Sequence, residues 1–200
     1  MATRSRLARG CAPGDGVLER LHVDAGVALL DSTGLLAHLD PSDAARIAAS
    51  IAGAIAATDM GRHASLVARV GARVAPPALA RLGPISSRSE DDRSLLREFI
   101  LHCADLSNPL RPPEVSARVA AGLHAERLAQ AARERSLGLA PAARPPASAT
   151  AAERAASEVC FIGALVRPCF ALLAEVEPRL RRLLPRVDAN AAAWARLAAP

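Results

Sequence analysis

The chain has 200 residues, 51% hydrophobic but only 2% aromatic, with formal charge +5 and a pI near 10.1. That length suits one domain able to bury roughly 70% of its unfolded surface, and abundant alanine favours helices while filling a core thinly. All the basic charge is arginine, in small clusters such as Arg4, Arg6 and Arg9 or Arg179, Arg181, Arg182 and Arg186. Without tyrosine or a dense basic face, that charge reads as solvated helix surface and argues against a nucleic-acid partner.

Residues 1–15 read as a disordered or unrelated start, because Gly10, Pro13, Gly14 and Gly16 interrupt any helix. A first helix is predicted from about Val17 to Leu30. The next begins with Asp40 at the N-cap, Pro41 at the first helical position and Asp43 in the first turn. Its apolar face is Ala44, Ile47, Ile51 and Ile55, and the pattern continues through Thr58-Asp59-Met60 towards Val70. Pro76-Pro77 and Gly83-Pro84 mark a loop before Ser87–Ser89. Leu96, Phe99, Ile100, Cys103 and Leu106 then define a helix that Asn108-Pro109 ends.

Pro112-Pro113-Glu114 opens another helix, running to about Ser136, and residues 138–149 form a proline-rich loop. A long apolar helix starts near Thr150 with a kink expected at Pro168, and a last short helix runs from Asp188 to Ala199 around Trp194. No strand alternation and no internal repeat is visible, so the fold class is all-α.

Asp59, Arg167 and Glu175 interrupt the best apolar runs before the roughly 18 residues a membrane span needs, so no span is expected. Cys11, Cys103, Cys160 and Cys169 lack CxxC spacing and suit a reducing, cytoplasmic setting. The arginine-rich first fourteen residues share only their composition with an organelle transit peptide.

His102-Cys103-Ala104-Asp105-Leu106-Ser107-Asn108-Pro109 is the densest polar constellation. On helical geometry Glu98, His102 and Asp105 share a face opposite the Leu96-Phe99-Ile100-Cys103 stripe. By spacing alone this is a solvated polar face. One carboxylate and one imidazole do not make a catalytic ion site, which wants three or more protein ligands.

The segment is similar to the His-[Cys/Ala]-Ala-Asp-[Leu/Ile]-Ser-Asn-Pro signature of class I 3′,5′-cyclic-nucleotide phosphodiesterases. Other stretches resemble that family in the same order. Val17-Leu18-Glu19-Arg20-Leu21-His22 is similar to Val-Leu-Glu-Asn-His-His, and Ala57-Thr58-Asp59-Met60-Gly61-Arg62-His63 to Ala-Thr-Asp-Met-x-x-His. Ser157-Glu158-Val159-Cys160-Phe161-Ile162, with Val166-Arg167-Pro168, resembles Ser-Gln-x-Gly-Phe-Ile followed by Val-x-Pro, and Asn190 with Trp194 the closing Asn-x-x-Trp. The match spans roughly residues 17–195.

The resemblance implies a multi-helix, HD-type catalytic domain covering residues 16–200 and hydrolysing the cyclic phosphodiester of cAMP or cGMP. It implies two divalent ions, usually zinc and magnesium, which share and activate a water or hydroxide and screen the phosphate. Asp105 matches the aspartate on the tighter ion. Glu19 and Thr58 match residues around the second ion's waters. Asn108 matches a residue near the base, and Phe161 the phenylalanine against which the purine stacks.

Four departures stand out. The family's two upstream histidine segments, which supply the general acid and the other tight-ion ligands, have no counterpart: His22, His38, His63, His102 and His124 fit neither. Glu158 replaces the glutamine that reads the base, exchanging an amide that donates and accepts for a carboxylate that, when ionised, only accepts. Gln130-Ala131-Ala132 stands for Gln-Gly-Asp, and Leu21 for the first of two histidines. The expectation is a domain incomplete at its N-terminus, with two-thirds of the family's catalytic fold, no useful ion binding and no hydrolysis by this chain alone. The alternative is a non-catalytic helical module that binds a protein partner, possibly a related phosphodiesterase, through an exposed apolar face.

Overall fold

The computed structural model describes residues 16–75, 89–139 and 150–199, which are helical with no strand among them. The expectations for residues 1–15, for the Pro76–Pro84 loop and for most of 138–149 lie outside the described residues. Two compact units divide the chain, one ending at Asp105 and the other starting at Leu106.

In the first unit α1 (Val17–Thr33) ends where Gly34 adopts φ 62°, a left-handed stop that glycine takes without Cβ strain. Then comes α2 (Pro41–Ala56), with Pro41 at its first position as expected. Asp40 holds the N-cap position, but its side chain makes no cap hydrogen bond. The predicted face Ala44, Ile47, Ile51 and Ile55 is only half-buried.

The helix does not run on towards Val70. It breaks at Ala57–Asp59, because both polar side chains bond to nearby backbone. Thr58 Oγ1 donates to the Ile55 carbonyl at 2.8 Å, and the Asp59 carboxylate accepts from Gly61 N at 2.8 Å. Such local bonds compete with helix continuation. A 3₁₀ turn (Met60–Arg62) follows, and a new helix, α3 (His63–Val74), buries Leu66, Val70 and Val74 at four-residue spacing.

α4 (Glu90–Asp105) packs against α2 and α3. Its buried stripe is Asp92, Leu95, Phe99, His102 and Cys103, whereas Ile100 is 48% exposed. The stripe therefore lies rotated from the one expected, and His102 sits inside it. Asp92 tolerates burial because Arg73 Nε donates to its Oδ1 at 2.7 Å.

The second unit opens with a 3₁₀ turn (Asn108–Leu110) and α5 (Pro113–Ser136), which buries only Ser116, Ala120 and Ala131. A capping box starts α6 (Ala151–Phe161): Glu153 N donates to Thr150 Oγ1 at 3.1 Å, and Thr150 N donates to Glu153 Oε2 at 2.7 Å. A π-helical stretch (Ile162–Val166) then leads into α7 (Arg167–Val176).

Pro168 was expected to kink this helix. The chain widens by a π turn just ahead of it, which accommodates the missing N–H and the bulk of the ring. The continuous run Ala151–Val176 also corrects the expectation that charges interrupt every long apolar stretch. By length and composition alone it is long and apolar enough to cross a membrane. In the fold its residues Ala155, Ile162, Val166, Cys169, Phe170, Leu173 and Ala174 are buried. After a 3₁₀ turn (Pro178–Leu183), α8 (Leu184–Ala198) starts four residues earlier than the sequence suggests and packs along α6.

Asn190 ties the second unit together. Its Nδ2 donates to the carbonyls of Pro109 at 2.7 Å and Arg111 at 2.9 Å, holding the Asn108–Leu110 turn against α8.

Candidate functional site

The break after α2 creates the first cluster. His102 is fully buried, and its Nδ1 lies 2.9 Å from the Ala57 carbonyl oxygen. A carbonyl only accepts, so His102 Nδ1 carries the proton and, in the neutral ring, Nε2 bears the lone pair. His63 Nδ1 is 2.9 Å from that Nε2 and donates to it. With both rings neutral, the Ala57 carbonyl thus sets the tautomer of each and leaves His63 Nε2 as an acceptor. This corrects the reading of His102 as part of a solvated face, since Asp105, three residues on, is exposed while His102 is buried. The only signal in the sequence was that His63 closes one family motif and His102 opens another.

Glu19 and Thr58 also lie in this unit, and both are half-buried. Thr58 spends its one hydroxyl hydrogen on the Ile55 carbonyl, so towards a water it can only accept. Glu19 accepts as well, which suits groups facing the outward hydrogens of an ion's water shell. Glu19 and Asp59 close on Gly16, where an added Cβ would collide with Glu19 Oε2 and stand 2.9 Å from Asp59 Oδ2.

Asp105 ends α4, exposed. Among the described residues, no group of three histidine, cysteine or acidic side chains close enough to share an ion includes it. One exposed carboxylate does not meet the donor count of a catalytic divalent ion, so these residues do not fit a complete ion site.

The remaining candidates lie in the second unit. Asn108 is half-buried, and its Nδ2 donates to Ser116 O at 3.3 Å and to Ser116 Oγ at 3.4 Å. Its Oδ1 is buried with no partner among the described residues, a side-chain acceptor still to be satisfied. Glu158 and Phe161, three residues apart on α6, share one face, and both are half-buried. Burial pushes the Glu158 carboxyl above its usual range, and the nearby positive charge of Arg127 on α5 pulls it part of the way back. Sequence reasoning missed Arg127, because nothing in its local pattern separates it from the other arginines of α5.

An all-helical fold with these ordered polar clusters defines a class of proteins, and comparison with known proteins supplies the family. The sequence model described as 3′5′-cyclic nucleotide phosphodiesterase matches residues 2–187, and the chain belongs to that family. It is 29% identical over 177 residues to a 3′,5′-cyclic-AMP phosphodiesterase 4C of Mus musculus, covering 87% of this chain and 26% of the relative. It is 28% identical over 179 residues to a 3′,5′-cyclic-AMP phosphodiesterase, isoform F, of Drosophila melanogaster, covering 88% of this chain and 27% of the relative.

Among solved structures, it is similar to the phosphodiesterase domain of the RhoPDE fusion protein from the choanoflagellate Salpingoeca rosetta. That match has a TM-score of 0.86 and 29% identity, over 98% of this chain and 61% of that one. The chain therefore spans about a quarter of the length of the two curated relatives described here, and less than two-thirds of the solved domain.

Proposed function

We propose that these residues form the base-facing wall of a cyclic-nucleotide phosphodiesterase catalytic domain and contribute one ligand, Asp105, to its ions. Zinc and magnesium are the ions proposed, with Glu19 and Thr58 facing the water shell of the second. Phe161 offers the purine a flat apolar face, and Glu158 faces the polar edge of the base. The observation that carries the reading is that Glu158 and Phe161 share one face of α6, while among the described residues Asp105 belongs to no group of three candidate ligands. The chain alone then binds cyclic nucleotide without hydrolysing it.

The test is to incubate the purified chain with cAMP or cGMP, Mg²⁺ and Zn²⁺. The expected result is no 5′-monophosphate but saturable nucleotide binding, which Phe161→Ala weakens about fivefold or more, as loss of a stacked base implies. Turnover that Asp105→Ala abolishes would overturn the inactive half of this reading.

A second reading, a helical protein partner, is favoured by one observation. Leu18 and Leu29 on α1 and Leu35 just beyond it are each about 60% exposed. A partner helix with a leucine stripe suits that surface. Light scattering of the wild-type chain beside a variant with all three replaced by glutamine checks it, and identical behaviour of the two counts against it.

A further inference from the structure

We propose that a cleft between α2 and α4 binds a small aliphatic monocarboxylate. None of the residues given a role above lines it, and the inference does not depend on the functional reading.

The cleft lies wholly within the first unit, lined by Arg46, Ile47, Ser50 and Ile51 of α2 and by Glu90 and Arg97 of α4. Its volume is about 270 Å³. Pockets for drug-sized molecules begin at roughly 300 Å³, so the ligand here is small. Ile47 and Ile51, one helical turn apart and both half-buried, make an apolar floor. Ser50 is half-buried beside them and makes no hydrogen bond among the described residues, so its hydroxyl has a hydrogen to give.

The charge around the cleft sets the sign of the ligand. Arg46 Nη2 donates to Asp43 Oδ1 at 2.8 Å, and Arg97 Nη2 donates to Glu90 Oε1. Each guanidinium spends one N–H in this way and keeps the rest of its fork. Glu90 lines the cleft too and would by itself repel an anion. Its other oxygen, Oε2, is already gripped by Arg93, through Nε at 3.0 Å and Nη2 at 2.8 Å. Arg97 first, and then Arg93, hold the Glu90 carboxyl below its usual range. Glu90 therefore keeps a partner when Arg97 turns to a ligand. In these ion pairs three guanidiniums share two carboxylates, which leaves one positive charge in excess. A single carboxylate cancels it and matches the planar guanidinium fork, while an aliphatic tail covers the isoleucines. Phosphate would bring charge without a tail, and an alkylamine a tail with the wrong charge.

Titration of the full 200-residue chain with sodium hexanoate at pH 7 tests the proposal, read by nuclear magnetic resonance at the backbone amides of Ile47, Ser50, Ile51 and Arg97. The expected result is saturable shifts at these amides. Affinity should rise about twofold or more per methylene from acetate through butanoate to hexanoate, as a tail leaving water implies. A variant carrying both Arg46→Gln and Arg97→Gln should bind hexanoate about threefold more weakly or worse, the loss of charge-assisted bonds at an exposed rim. Hexylamine should leave the four amides unmoved. Circular dichroism establishes that the variant is folded, and the wild-type titrations decide the question without it. No saturable shift at these amides overturns the proposal, as does an affinity independent of tail length. Hexylamine bound as tightly as hexanoate, or an unchanged affinity in the double variant, also overturns it. Inorganic phosphate bound there as tightly as hexanoate overturns it in favour of a plain anion site. None of these outcomes bears on cyclic-nucleotide binding, so the functional reading stands or falls separately.

Discussion

The helix pair α1–α2 and the run from α6 to α8 are both rich in aliphatic side chains, yet only the second builds a core. No residue of α1 or α2 is buried, and Leu18, Leu21 and Leu29 are 40–62% exposed. From α6 to α8, by contrast, Ala155, Ile162, Val166, Cys169, Leu173 and Val187 are buried, and Asn190 adds a buried polar anchor. Apolar content is the same kind of raw material in both. What differs is whether another helix lies close against the apolar stripe. In α1 Leu18, Leu21 and Leu29 share one face, and packing against α2 leaves that face open.

Truncation is the most direct way to break this contrast. Ile162→Ala, at a position 1% exposed, should cost about 2–5 kcal/mol in urea unfolding, whereas Leu29→Ala, at 62% exposure, should stay within about 0.5 kcal/mol. Comparable losses for the two would mean that α1 is packed in solution against something, and the comparison would fall.

A smaller effect sharpens the polar side of the contrast. Asn190→Ala removes the donor that satisfies the Pro109 and Arg111 carbonyls and should cost about 1–3 kcal/mol. Faster hydrogen exchange should appear first at the backbone amides of Leu110 and Arg111, which close the turn that Asn190 holds. A loss spread evenly over the second unit would instead mark Asn190 as a general packing residue.

Much of this was legible in the sequence, and the failures share one cause. Helix starts declared by proline, such as Pro41 and Pro113, stand where expected, because a fixed φ and a missing N–H act locally. The ordered motifs revealed the family, because Asp105, Asn108 and Phe161 sit in strings of matching neighbours. The break at Ala57–Asp59 was missed because the apolar period of α2 and α3 runs across it. Only the side-chain bonds of Thr58 and Asp59 show that the backbone turns there. Spacing alone puts His102 on a wet face, because a polar residue defaults to one. Its burial depends on the Ala57 carbonyl, 45 residues away in sequence, and no local pattern reports such a partner. Arg127 opposite Glu158 was hidden in the same way.

The smallest effect brings the comparison inside a single helix, where Ala155 is fully buried and Glu158, three residues on, is a half-buried carboxylate. Burial raises the Glu158 carboxyl above its unfolded value. The folded state then holds its proton to higher pH than the unfolded chain does. Relative stability from this group is greatest below the unfolded value, falls as pH rises through the folded one, and stays low beyond it. Glu158→Gln removes that cost. It should match the wild-type chain near pH 4 and be more stable at pH 7, by less than about 1 kcal/mol because solvent and Arg127 screen the charge. The pH series of urea midpoints decides it. A variant less stable than wild type at pH 7 would mean that the ionised carboxylate is held by a partner in the folded state. Its two oxygens would then not be vacant for the polar edge of a base, and the role proposed for Glu158 would lose its main support.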